Sequence, residues 1–142
     1  MIRTSFTLKK KSVLLVEDNP GDVRLVEEVL KGNALPIELT VASDGQQALD
    51  MLATLRPDMI LLDLNLPKVD GRTVLKVIKE NADLRRIPVV VLSTSEAELD
   101  VNDAYNAHAN CYIAKPLDFK EFMRIIREVY DYWLGSFVMA PS

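Results

Sequence analysis

Short runs of consecutive apolar residues alternate along this chain with longer stretches in which apolar positions recur every three or four residues. The runs Ser12–Glu17, Met59–Asp63 and Val89–Ser93 are almost wholly apolar, as expected of parallel strands covered on both faces. Glu38–Ala42 and Cys111–Ala114 complete a set of five predicted strands. The longer spacing predicts helices over Gly21–Lys31, Gln46–Leu55, Arg72–Glu80, Glu96–Ala107 and Leu117–Leu134. The punctuation agrees: Gly32-Asn33 suits a helix end, and Asp44 and Asp70 each precede glycine in turns leading to helices. Pro57 and Pro88 sit just ahead of strands, where proline ends the preceding element. Five βα units of this length predict an α/β fold, a doubly wound five-stranded parallel sheet with five helices.

In such sheets ligands sit beyond the carboxyl ends of the strands. Here those ends carry polar groups: Glu17 ending the first strand with Asp18 after it, Asp63 ending the third, Ser93 ending the fourth and Lys115 after the fifth. Like charges held close resist joint ionisation, so three carboxylates need a cation and a lysine beside them. Asp63 is the candidate nucleophile, since a carboxylate can accept a phosphoryl group as an acyl phosphate. Asp18 and Asp63 offer hard oxygen ligands for Mg²⁺, with the backbone carbonyl of Asn65 completing the set and Glu17 binding through water. Lys115 would pair with Asp63 and then with the phosphoryl oxygens. The Ser93 hydroxyl would be drawn toward them as a switch, with Ser95 capping the following helix and Tyr112 able to swing inward.

Composition narrows the picture. At 142 residues the chain predicts one domain, with a core over about 11–134, a lead-in over 1–10 and a tail over 135–142. A net charge of −4 with no long basic run argues against nucleic acid as a partner. Lys9-Lys10-Lys11 reads as a solvated strand lead-in. The single cysteine, Cys111, fits a small strand residue in a reducing compartment. No apolar stretch has the length of a membrane span, and the N-terminus lacks a signal-peptide core, so a cytoplasmic location is expected.

Glu17-Asp18, then Asp63-Leu64-Asn65-Leu66-Pro67 with Asp70-Gly71, then Ser93, then Lys115-Pro116 resemble a response-regulator receiver domain over about residues 11–134. The resemblance implies the flavodoxin-like strand order 2-1-3-4-5 and phosphorylation of Asp63 by a sensor histidine kinase with Mg²⁺. It also implies a cis Lys115–Pro116 bond and a switch through Ser93 and Tyr112 onto the face of the fourth helix, fifth strand and fifth helix. Glu17-Asp18-Asn19-Pro20-Gly21-Asp22-Val23-Arg24-Leu25-Val26, Asp63-Leu64-Asn65-Leu66-Pro67-Lys68, Asn110-Cys111-Tyr112 and Tyr132-Trp133-Leu134 resemble the stand-alone regulators paired with bacterial phytochromes. That subgroup implies a red-light photoreceptor kinase and a homodimer. Two departures stand out: Ser93 occupies a position that is more often Thr, and His108-Ala109-Asn110 fills a loop where many receivers carry Gly. His108, the only histidine, reads as a surface residue.

On the last helix Phe119, Phe122, Ile126, Val129 and Trp133 form a stripe that reads as core. Met123, Tyr130 and Leu134 lie on an adjoining face and Phe137 follows. A second apolar stripe on a terminal helix predicts a two-fold homodimer contact through Met123, Tyr130, Trp133, Leu134 and Phe137. A tail folded back over its own core would serve the same purpose. The function expected is that of a phosphoacceptor signalling protein, not an enzyme, beyond slow self-phosphorylation from small donors and self-dephosphorylation. Two alternatives stand beside it. A phosphorylation-independent binding module would need neither Asp63 nor Lys115, and both are present. An aspartyl phosphohydrolase commonly needs a second Asp two residues after its nucleophile, where this chain has Asn65.

Overall fold

A computed structural model describes residues 6–8, 10–31, 37–93, 111–135 and 139–141. Seven strands are present among them: β1 Phe6–Leu8, β2 Lys11–Val16, β3 Ile37–Ala42, β4 Met59–Asp63, β5 Val89–Ser93, β6 Cys111–Ala114 and β7 Met139–Pro141. The helices are α1 Pro20–Lys31, α2 Gly45–Leu52, α3 Gly71–Glu80 and α4 Phe119–Tyr130, the last continued by a wider π turn over Asp131–Gly135. The main sheet runs β3-β2-β4-β5-β6, all parallel. Counting its five strands alone, this is the expected order 2-1-3-4-5. Four helices fall among the described residues, and the helix expected at Glu96–Ala107 lies outside them.

The strands are apolar throughout because alternate residues face two different helical layers. Leu14, Val16, Ile60 and Leu62 pack with α2 and α3 residues such as Ala48, Val74 and Ile78. Val13, Leu15, Met59 and Leu61 point the other way, toward Val26 and Val29 of α1 and Phe122 and Ile126 of α4. Helix starts follow the sequence: Asp44 accepts from the Gln47 N–H and Asp70 from the Thr73 N–H, each capping the helix that the following glycine opens.

Two expectations need correction. The first concerns the terminal helix. Tyr130 and Leu134, assigned to an exposed face, are buried at 1% and 5%. Phe119, assigned to the core, is 56% exposed. Asp118 caps α4 by accepting from the Lys120 N–H, which leaves Phe119 in the exposed first turn. At the other end the π turn carries Leu134 inward, while Trp133 is half-buried. The lead-in and tail segments pair with each other: β1 and β7 run antiparallel, Leu8 opposite Met139 and Phe6 opposite Pro141. The second correction is that the described backbone has no cis peptide, so Lys115–Pro116 is trans, the form favoured for X–Pro bonds by about 0.5–1 kcal/mol.

Candidate functional site

Strand register builds the site. Val13 to Val16 of β2 align with Met59 to Leu62 of β4, so the residues that follow, Glu17 and Asp63, leave the sheet side by side. Asp63 lies opposite Leu92, and Ser93 opposite Ala114, which brings Lys115 to the same edge. The pattern extends one residue beyond the strands, because the Glu17 N–H donates to Ala42 and the Lys115 N–H to Ser93.

Glu17, Asp18 and Asp63 each place a carboxylate oxygen within 4.8 Å of the others, with Glu17 and Asp63 buried and Asp18 exposed. Lys115, also buried, pairs with Glu17, with Asp22 at 2.9 Å and with Asp63 at 3.4 Å. These residues, with Asn19, Pro20 and Asn65, line an open cleft of about 370 Å³. The Asp63 Oδ1 accepts from the Asn65 N–H at 3.0 Å, which orients the carboxylate and fixes the loop after β4. That loop contains Lys68 at φ 67°, a left-handed conformation costly for a side chain. It then returns to Gly71, whose N–H donates to the Leu64 carbonyl. A Cβ at Gly71 would lie 2.3 Å from the Asp63 carbonyl oxygen and 2.5 Å from the Leu64 Cα. Only glycine lets α3 start this close to Asp63.

Burial raises the Glu17 carboxyl to about 8, helped by its hydrogen bond with Asp63 and opposed by Lys115. Burial also acts to lower Lys115, but Glu17, Asp63 and Asp22 more than offset it, and its proton is held more tightly than usual. The donor set is all oxygen, and one lysine faces three carboxylates besides the exposed Asp18. This fits a hard divalent cation, which asks for carboxylate and carbonyl oxygens.

Of the expected residues, the structure gathers Glu17, Asp18, Asp63, Asn65 and Lys115 around one cleft. Ser93 is wholly buried at the end of β5, and Tyr112 is half-buried in β6. Thr94, Ser95, His108, Asn110 and Phe137 lie outside the described residues. Asp22 was missed. Its only local signal is an acid in the first turn of a helix that starts beside Asp18, a place where acids are common for other reasons.

A five-stranded parallel sheet in this order, with an acid cluster and a lysine at its carboxyl edge, defines a receiver-type α/β domain. The chain belongs to the response regulator receiver domain family, whose model matches residues 13–127. Proteins built on this domain are signalling proteins. The chain is similar, at 47% identity over 139 residues, to the response regulator Rcp1 of Synechocystis sp., covering 93% of this chain and 95% of that protein. The crystal structure of the Mn²⁺-bound form of Rcp1 superposes with a TM-score of 0.84 at 45% identity, covering 92% of this chain and 99% of that one. The crystal structure of the phosphorylated cyanobacterial phytochrome response regulator RcpA gives 0.87 at 43%, covering 94% and 100%.

Proposed function

We propose that this chain is the phosphoacceptor of a two-component pair, taking a phosphoryl group onto Asp63 from a sensor histidine kinase of the phytochrome type. One observation carries the reading: Asp63 sits buried beside Glu17 and Asp18, within reach of Lys115, at the mouth of an open cleft. The similarity to phytochrome response regulators over nearly all of the chain supports the kind of kinase. Asp18, Asp63, the Asn65 carbonyl and, through water, Glu17 would hold Mg²⁺. When bound it would offset charge on the oxygens of the transferred group, where most phosphoryl-transfer catalysis lies.

The chain's own groups do the rest. The Asn65 N–H holds the Asp63 carboxylate in place. Lys115 keeps its proton and offers a positive charge to the phosphoryl oxygens. Ser93, at the end of β5, carries the change to Tyr112 on β6, and the switch alters the surface formed with the terminal helix. Residues 1–142 act as one receiver domain with a core over about 11–134, as a cytoplasmic protein without nucleic-acid or membrane partners. A homodimer forms on the side of β6 and α4. Ile113, Ile125, Val129 and Trp133 line an open groove there of about 750 Å³. The contact uses Met123 and Trp133 with Phe137, and not Tyr130 or Leu134, which belong to the core.

Intact mass after incubation with Mg²⁺ and acetyl phosphate tests the reading. Wild type gains one phosphoryl group, only with Mg²⁺, and Asp63→Asn gains none. No adduct on wild type with Mg²⁺ bound would sink the proposal in favour of a phosphorylation-independent binding module. Sedimentation of the same samples tests the dimer, which Trp133→Ala weakens.

A further inference from the structure

Asp22 stands closer to the Lys115 ammonium, at 2.9 Å, than the nucleophile Asp63 does, at 3.4 Å. Its place is set by the start of α1. Asn19 Oδ1 accepts from the backbone N–H groups of Gly21 and Asp22, which fixes the first turn with the Asp22 carboxylate on Lys115. An ammonium has three N–H donors and no acceptor. Glu17, Asp22 and Asp63 take up all three. A phosphoryl group on Asp63 adds acceptor oxygens, and Lys115 can serve one only by releasing a partner. Glu17 and Asp63 are buried with the lysine, their side chains 1% and 5% exposed, whereas Asp22 is 21% exposed at the rim. Water replaces the hydrogen bond that Asp22 gives up more readily than those of the more deeply buried Glu17 and Asp63.

We propose that Asp22 is a positioning residue that restrains Lys115, tying the ammonium to the α1 side of the cleft and slowing phosphorylation of Asp63 by small donors. The inference rests on the phosphoacceptor reading of Asp63. In the step concerned, an Asp63 carboxylate oxygen attacks the phosphorus of acetyl phosphate. An O–P bond forms, the bond from phosphorus to the acetyl oxygen breaks, and acetate leaves with the electron pair. Negative charge is redistributed over the phosphoryl oxygens, and a lysine free to meet it lowers the barrier.

Wild type, Asp22→Asn and Asp22→Glu are compared by intact mass during acetyl phosphate treatment at saturating Mg²⁺, in low salt and in about 1 M salt, where exposed charges are screened beyond about 3 Å. The Asp22→Asn rate constant rises about threefold or more, the size expected from losing one partly exposed ion pair, and keeps that gain in high salt. Asp22→Glu, which retains the carboxylate on a longer stem, stays within about twofold of wild type. In metal-free protein the NMR resonance of the Lys115 ammonium moves in Asp22→Asn and much less in Asp22→Glu. Asp22→Ser serves as a second neutral replacement if Asp22→Asn does not fold. An unchanged or slower rate in the folded neutral variant, a gain that vanishes in high salt, or an unmoved Lys115 resonance overturns the restraint. A wild type that takes up no phosphoryl group sinks the phosphoacceptor reading itself, and the restraint falls with it.

Discussion

The carboxyl edge of the sheet and the outer side of β6 with α4 are built on opposite terms. At the edge, the ionisable groups Glu17, Asp63 and Lys115 are buried, and each is held by named partners. On the outer side, Tyr132 is exposed, and Trp133 is half-buried with its ring edge-to-face against Tyr132 at 5.0 Å. Burying charge is costly, so a chain that does it repeatedly at one edge must have a use for it there. Exposed apolar groups cost far less and admit more than one explanation. The edge therefore points to a chemistry, while the outer side shows only exposed apolar groups beside a groove.

The contrast can be broken most forcefully at Lys115. Lys115→Met leaves Glu17 and Asp63 buried without their cation, and metal-free protein should lose about 3–5 kcal/mol in urea denaturation. Asp63→Asn should move the midpoint the other way, because it removes one of the repelling carboxylates. A stabilised Lys115→Met protein would mean that the acids are not under mutual strain. Next comes Leu134 at the boundary of the apolar side. Its burial predicts a loss of about 2–5 kcal/mol for Leu134→Ala, whereas Trp133→Ala should act mainly on assembly. Equal losses of stability in the two variants would erase the distinction between core and contact surface.

A subtler difference lies in pH. The folded-state value of Glu17 is raised above its ordinary 4.5 to about 8, so the folded form binds this proton better than the unfolded chain. The stability it contributes is fully present below the ordinary value and is lost as pH rises toward about 8. Denaturation midpoints of metal-free protein should fall over that window, and Glu17→Gln should flatten the fall. Mg²⁺ affinity should climb over the same window, since ligands bind deprotonated. The smallest effect is expected at Lys68. Its left-handed backbone suits glycine, so Lys68→Gly should raise stability by about 0.5–1 kcal/mol, less whatever its exposed pair with Asp44 contributes. A thermal melt resolves that shift, and a lower melting temperature would argue against strain in the loop.

Most of the fold was readable because both of its signals are local. β4, β5 and β6 have the predicted limits, β3 starts one residue earlier than predicted, and β2 is shifted by one residue at both ends. The acids at strand ends were equally visible, since an apolar run that stops on a carboxylate needs no tertiary knowledge to notice. Asp22 was not visible, because its meaning lies in a contact with a residue 93 positions away. The inward turn of Leu134 was hidden by the change of helical pitch after Tyr130, which a fixed 3.6-residue period does not anticipate. The pairing of β1 with β7 joins two three-residue segments from opposite ends of the chain, too short for either to show an alternation.

The lysine in the cleft also has a consequence for how the molecule comes together. Lys115 is 98 positions from Glu17 and 52 from Asp63, so its ion pairs close the longest loops in the site. Glu17 and Asp63 belong to neighbouring strands of the first half of the chain, and those strands can pair before the last third has found its place. Until it does, the acids repel one another with no protein cation between them, and loop closure is most costly for the contact that relieves them. The carboxyl edge is thus the last part of the sheet to become electrostatically sound, and the carboxyl-terminal third of the chain completes it.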